Sequence, residues 1–312
     1  MSQFEKLYSF FIIGAVALGL LLSQSTEISP YTEKAILPLL AFMIYITFLQ
    51  IPFKDLKASF QNKTFSLASL LINFVWTPVF AWLLTMVFLP DQPALAIGLM
   101  MLLVTPCTDW YLIFTGIAKG NTALATAILP LNLILQIILL PVYLFIFFGA
   151  SETVDAAYLA EGVLWVLIIP FVMAQLTMVL VKKKSLLSSS TVQNLPTVLL
   201  LLAIIAMFAA QGNSLFEHAG ILVNILPALV IFFIVNFFIS QKTGRLCKLP
   251  AKDRVSLTMT TMARNSPLAL AIAVAAFPSE PLIALTLVIG PLIELPVLAL
   301  ITKVLLKLSS RN

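Results

Sequence analysis

The run Thr105-Pro106-Cys107-Thr108-Asp109 puts a thiol, two hydroxyls and a carboxylate beside a proline inside an otherwise apolar stretch. A second run, Thr260-Thr261-Met262-Ala263-Arg264-Asn265-Ser266-Pro267, puts a guanidinium and an amide in the same setting. Proline removes a backbone donor and obstructs the preceding turn, so each run predicts a helix that unwinds and exposes free amides and carbonyls. A third stretch, Gly290-Pro291-Leu292-Ile293-Glu294-Leu295-Pro296-Val297, holds one carboxylate between two prolines. Asn132 and Gln136 lie one helical turn apart on a single face of a fourth apolar run.

Each residue type carries a chemistry and an ordinary structural alternative. A cysteine thiolate is a soft ligand, whereas a cysteine in a core is often a small hydrophobe. Apolar surroundings favour the neutral form of a carboxyl group, which makes Glu294 a candidate proton carrier. Arg264 suits an anionic substrate, or pairs with Asp109 in a salt bridge that only holds helices together. Asn132 and Gln136 are substrate ligands or interhelical hydrogen-bond partners. Pro106, Cys107, Thr108, Asp109, Arg264, Asn265 and Asn132 form the candidate substrate site, with Glu294 as the proton-coupling residue. His218, beside Glu217, falls in a short predicted outer loop and is expected to be solvated. No Walker motif, zinc spacing, nucleophile elbow or Rossmann glycine pattern is present. Neither a cofactor nor a metal is expected, and ATP-driven pumping within the chain is unsupported.

The elements that position these residues follow from composition. The 312 residues are 61% hydrophobic and only 10% charged, and mean hydropathy is +1.08. Soluble domains carry about a quarter charged residues, so the solvent of this chain is lipid. Crossing a bilayer takes roughly 20 apolar residues, a criterion met near 6–24, 35–51, 65–89, 93–117, 122–149, 158–181, 194–211, 219–240, 253–277 and 281–307. The first run lacks a small-residue cleavage pattern and reads as a span. Cys107 and Cys247 fall in dissimilar settings, which argues against a disulfide.

Ten spans with a cytoplasmic N-terminus put Lys54, Lys57, Lys63, Lys119, Lys182, Lys183, Lys184, Lys242, Arg245, Lys248, Lys252 and Arg254 in inside loops. Glu27, Glu33, Asp91, Glu152, Asp155, Glu161, Glu217 and Glu280 fall outside, beside a single basic Lys34. That bias fixes the orientation and makes the net charge of +5 a topological signal, with no nucleic acid as partner. Two sets of five spans, about 1–150 and 151–312, must enter from opposite sides, which is an inverted repeat. Leu140-Pro141-Val142 and Leu295-Pro296-Val297 echo one another late in the fifth and tenth spans, and the fourth and ninth spans share the polar, proline-bearing break. Matching breaks are of little use to a membrane scaffold. The whole chain reads as one all-α transmembrane domain that binds a small-molecule substrate.

At these residues the sequence resembles the bile acid/sodium symporter superfamily, and within it the arsenite-permease branch. Ala118-Lys119-Gly120-Asn121-Thr122-Ala123-Leu124 looks like the symporters' Ala-Arg-Gly-Asn-x-Ala-Leu, while Pro106-Cys107-Thr108 and Glu294-Leu295-Pro296-Val297 look like the signatures of the arsenite branch. The resemblance implies ten helices in two inverted five-helix repeats, with helices 4 and 9 broken and crossing. It also implies a multi-pass protein of the plasma membrane with both termini cytoplasmic. Cys107 and Glu294 match the residues associated with transport in that branch. Where sodium-coupled relatives carry ligands, this chain has Tyr111-Leu112 and Thr260, so protons are the expected partner ion. Asp109-Trp110-Tyr111 departs from the small apolar residues typical of the branch, and Arg264 is also a departure. The expected function is proton-coupled arsenite efflux, the alternative being ion-coupled uptake of an organic anion such as a bile acid or pantoate-like acid.

The basic bias makes a topological prediction. Reporters fused within 151–157 should appear outside the cell and those within 242–252 inside, as read by side-specific labelling; the reverse would overturn the span count or the orientation.

Overall fold

The computed structural model describes residues 3–24, 29–51, 62–108, 110–149, 156–180 and 190–309. Among them regular structure is helical throughout, with a single isolated β-bridge and no strand. The helices are α1 (Gln3–Leu22), α2 (Ser29–Gln50), α3 (Lys63–Leu71), α4 (Thr77–Phe88), α5 (Pro93–Val104), α6 (Trp110–Ile117) and α7 (Thr122–Phe148). They continue with α8 (Ala156–Val163), α9 (Ile169–Leu180), α10 (Ser190–Leu222), α11 (Ile225–Leu246), α12 (Ala251–Met262), α13 (Ser266–Ala276) and α14 (Pro281–Ser309). Short π-helical turns, Ile72–Trp76 and Leu164–Ile168, join α3 to α4 and α8 to α9 into continuous rods.

Among the described residues six helices are long and apolar enough to cross a membrane: Tyr31–Gln50, Lys63–Phe88, Thr122–Phe148, Ala157–Leu180, Ile225–Leu246 and Pro281–Leu308. The other four sequence segments coincide with shorter apolar helices, Phe11–Leu22, Pro93–Val104, Asn194–Ala210 and Ser266–Ala276. Outward faces are apolar, with Val87, Ile146, Val179 and Leu180 exposed, as lipid-facing surface requires.

One sequence expectation is corrected here. The segment around Glu217 and His218 is helical backbone within α10 rather than an outer loop, and the chain turns only at Val223-Asn224. Polar residues do not end a helix; absence of a proline after Pro196 lets it run on.

Asparagines start several of these helices. Asn62, Asn121 and Asn265 each accept a bond from the backbone N–H three residues on, at 3.0, 3.3 and 3.2 Å, as N-caps do. Asn121 also explains why the 118–124 stretch has a recognisable pattern. Its Nδ2 donates to Asp253 Oδ1 at 2.9 Å, its N–H donates to Lys252 O at 3.2 Å, and its carbonyl accepts from Ser256 Oγ at 2.9 Å. The loop after α6 is thereby bolted to the start of α12. Gly120 makes the approach possible, since a Cβ there would stand 2.8 Å from the side chains of Thr115 and Val255.

The helices pack in two groups. α1, α2, α9 and α10 lie against one another, while α5, α6, α12, α13 and α14 meet in the second group with α4, α7 and α11 around them. α5 and α14 approach closely at two glycines. A Cβ on Gly98 would come within 2.8 Å of Thr286 Cβ and 2.9 Å of the Ile283 carbonyl, and one on Gly290 within 2.7 Å of Leu102. Small residues substitute for a hydrophobic driving force in lipid by letting backbones approach. Here they bring the middle of α14 against the end of α5.

A side chain at Gly98 must therefore separate these helices. Gly98→Val should lower the thermal transition of the detergent-solubilised protein by several degrees, whereas Gly14→Ala, with nothing within 4 Å, should leave it unchanged. Equal transitions for both variants would contradict the close approach.

Candidate substrate site at the crossing of two broken helices

The two proline-bearing runs do break their helices, and the breaks meet. α5 stops at Val104 and Thr105 turns extended (φ −103, ψ 101); α12 stops at Met262 and Ala263 turns extended (φ −72, ψ 139). The two extended pieces pair antiparallel at Pro106 and Arg264. Cys107 N–H donates to Ala263 O at 3.0 Å, and Asn265 N–H donates to Thr105 O at 2.7 Å. Each break supplies the partner that the other's backbone lacks, which is necessary where water is absent.

Side chains complete the junction. Thr105 Oγ1 donates to Met101 O at 2.9 Å, covering a carbonyl that the end of α5 leaves open. Asn265 caps α13 and extends Nδ2 to Thr108 Oγ1 at 3.5 Å. The Ser266 hydroxyl donates to the Leu287 carbonyl of α14.

Arg264 holds the ends of both half-helices. Its Nη1 donates to Leu103 O of α5 at 3.0 Å, its Nε to Met262 O of α12 at 3.2 Å, and its Nη2 to Thr261 O and, at 3.4 Å, to Asn73 Oδ1. The guanidinium also lies over the ring of Phe232, 5.0 Å from its centroid. The last carbonyls of a helix have no intrahelical partner and carry the negative end of its dipole. A cation shared between two such ends satisfies both at once. With five N–H donors and four so committed, one is left without an acceptor among the described residues.

Glu294 comes to the same junction from α14. Its Oε1 accepts the backbone N–H of Arg264 at 2.8 Å, and the residue is 4% exposed. The carboxyl group thus meets the extended backbone edge that faces away from Cys107's strand, as a third strand would. Cys107 and Glu294 are both within electrostatic reach of the guanidinium. Cys107 and Thr108 are buried, and neither Cys107 nor Cys247 is in a disulfide.

The structure therefore gathers Pro106, Cys107, Thr108, Arg264, Asn265 and Glu294. Asp109 lies outside the described residues, and with it the expected pairing to Arg264. Asn132 sits on α7, which packs against α5, α6 and α12, and forms no hydrogen bond with them. No cluster of three metal-binding side chains occurs among the described residues.

Three contributors escaped the sequence reading. Asn73, in the π-helical turn after α3, donates to Thr260 O at 3.3 Å as well as accepting from Arg264. π-turns often mark functional positions; the readable signal was an asparagine in the apolar run Leu71-Ile72-Asn73-Phe74. Trp76 Nε1 donates to Asn236 Oδ1 at 2.9 Å, and Asn236 Nδ2 reaches Thr261 O at 3.4 Å.

A multi-pass helical body whose discontinuous helices meet half-way along their lengths is the build of a secondary transporter. The chain belongs to the sodium bile acid symporter family, whose model matches residues 37–218. It is 25% identical over 327 aligned positions to the arsenical-resistance protein Acr3 of Corynebacterium glutamicum, covering 96% of this chain and 87% of that one. It is also 26% identical to the uncharacterized protein YbaS of Bacillus subtilis, over 90% of each chain.

If Arg264 is the shared cap, its fork matters as much as its charge. Arg264→Lys should cost on the order of 3 kcal/mol by stranding buried carbonyls, read as a lower denaturation midpoint in detergent. Parental stability in the lysine variant would remove the capping role.

Proposed function

We propose that this protein is a proton-coupled efflux permease for trivalent arsenic, with ten spans in two inverted five-helix repeats and both termini in the cytoplasm of a plasma-membrane protein. The observation that carries the reading is the Glu294 carboxyl group accepting the Arg264 N–H at 2.8 Å, on the strand that pairs with Cys107. Proton site and cargo site then flank one two-stranded junction. The similarity to the Corynebacterium glutamicum arsenical-resistance protein supports the choice of cargo. The meeting of the 118–121 loop with the start of α12 supports the topology, because Lys119 and Lys252 then lie on one side.

In this mechanism the Cys107 thiol exchanges with one hydroxyl of arsenous acid. An As–S bond forms, and the thiol proton leaves with the displaced hydroxyl as water. Ionised Glu294 makes a charge-assisted bond to the Arg264 N–H, which holds the paired breaks together. Protonation from outside weakens that bond and lets the junction rearrange, so proton entry and arsenic exit act on the same backbone. Uptake of an organic anion through Arg264 is less well supported, since that guanidinium is directed at helix carbonyls.

Two substitutions test the assignment. Cys107→Ser should abolish arsenite resistance in an arsenite-sensitive host, while Cys247→Ser should not. Glu294→Gln should stop proton-driven arsenite uptake into inside-out vesicles while leaving arsenite binding in place. Replacement of sodium by potassium should change nothing. Full resistance in the Cys107 variant removes thiolate coordination, and undiminished proton-driven transport in the Glu294 variant removes the acid from coupling.

A further inference from the structure

α7 carries two amide side chains that the crossing does not use. Asn132 and Gln136 are each 0% exposed, and all four of their polar atoms, Nδ2, Oδ1, Nε2 and Oε1, lack a hydrogen-bond partner among the described residues. Leaving a buried polar group unpaired costs on the order of 1–3 kcal/mol, and in hydrocarbon nothing outside the protein offsets it. The two stand one turn apart in an α-helix and so share one face.

Their depth is that of the crossing. Asn121 and Lys252 are hydrogen-bonded to each other at the start of α7 and α12, so both helices leave one level. At about 1.5 Å per residue, Asn132 stands roughly 15 Å from Thr122, and Met262, the last residue of α12, roughly 16 Å from Ala251. α7 packs against α12 and against both halves of the other broken helix, α5 and α6.

The missing partner can be typed by what it must satisfy. Two amide groups present donors and acceptors together. A bare cation would satisfy only the carbonyl oxygens and an anion only the NH2 groups; the guanidinium at this depth is turned toward helix carbonyls. A neutral molecule bearing several hydroxyls serves both. We propose that Asn132 and Gln136 form the hydroxyl-recognising part of the substrate site and bind an uncharged polyhydroxyl solute. Resting on the reading that trivalent arsenic is the cargo, that solute is arsenous acid, with two hydroxyls on the amides and the third position exchanged at Cys107. The amides then select by shape and hydrogen bonding before the thiol acts.

This role separates from structural support because the two have opposite stability signs. Interhelical hydrogen-bond partners destabilise a helix packing when replaced by apolar residues, whereas unpaired buried amides stabilise it when so replaced. The experiment uses the full-length protein in lipid nanodiscs, with Asn132→Leu, Gln136→Met and the double variant. Thermal unfolding and arsenite affinity are measured, with boric acid, a trihydroxyl molecule with no affinity for thiols, as the second probe. The double variant should unfold at higher temperature, lose arsenite affinity by about tenfold or more, and lose the protection that boric acid gives the parent. A lower unfolding temperature, or failure of the double variant to fold, overturns the proposal in favour of interhelical bonding. A higher one with parental arsenite affinity overturns it in favour of trapped water. Amide-dependent protection of the parent by boric acid, with no arsenite binding, leaves the hydroxyl site standing and removes the arsenic reading alone.

Discussion

Backbone hydrogen bonding without water is the constraint on which the rest of this structure depends. A helix broken inside hydrocarbon leaves N–H and C=O groups that must find protein partners, and here two breaks become partners for each other. Thr105 O takes the Asn265 N–H, and Ala263 O takes the Cys107 N–H. Once that pairing exists, four further side chains have defined places at the junction. Arg264 covers the exposed helix carbonyls, Asn265 and Thr105 finish the ends, and Glu294 takes the outward N–H. The close α5–α14 approach at Gly98 and Gly290 serves the same end by delivering the carboxyl group.

This view changes what the charged residues mean. A guanidinium deep in a membrane protein ordinarily signals a substrate or ion pathway. Arg264 instead stands against the negative ends of two helix dipoles, which partly offsets the cost of burying it with no carboxylate on its fork among the described residues. Asn73 and the face of Phe232 also contact it. Buried side-chain polar atoms without a hydrogen-bond partner among the described residues include those of the two amides of α7.

Much of this was readable in residue types, and the rest depended on distance. Pro106 and Pro267 within apolar runs marked both breaks, and Glu294 between Pro291 and Pro296 marked the buried acid. Their equivalence across the two halves pointed to one shared junction. The partners were not readable, because they join residues far apart in the chain. Glu294 has no basic neighbour in sequence, and its partner is a backbone N–H thirty positions earlier. Arg264 was read as an anion contact or as the mate of Asp109, which lies outside the described residues; its bonds to helix carbonyls left no mark in sequence. Asn73 was not singled out in the sequence; the π-helical turn brings it to Arg264. The end of α10 was missed for a different reason: polarity around Glu217 and His218 suggested a loop, although only a breaker would have made one.

The pairing of Thr105 with Asn265 also sets a timetable for biosynthesis. The two residues are separated by 160 positions, and chains are made at roughly 5–20 residues per second. For about 8–30 seconds, then, the first broken helix exists with its partner not yet synthesised. During that interval its open carbonyls and amides must be covered by something other than the finished protein, such as the insertion machinery, water held near it, or a temporarily continuous helix. The junction therefore cannot close until Asn265 has been made, and the second broken helix acts as the template on which the first completes itself.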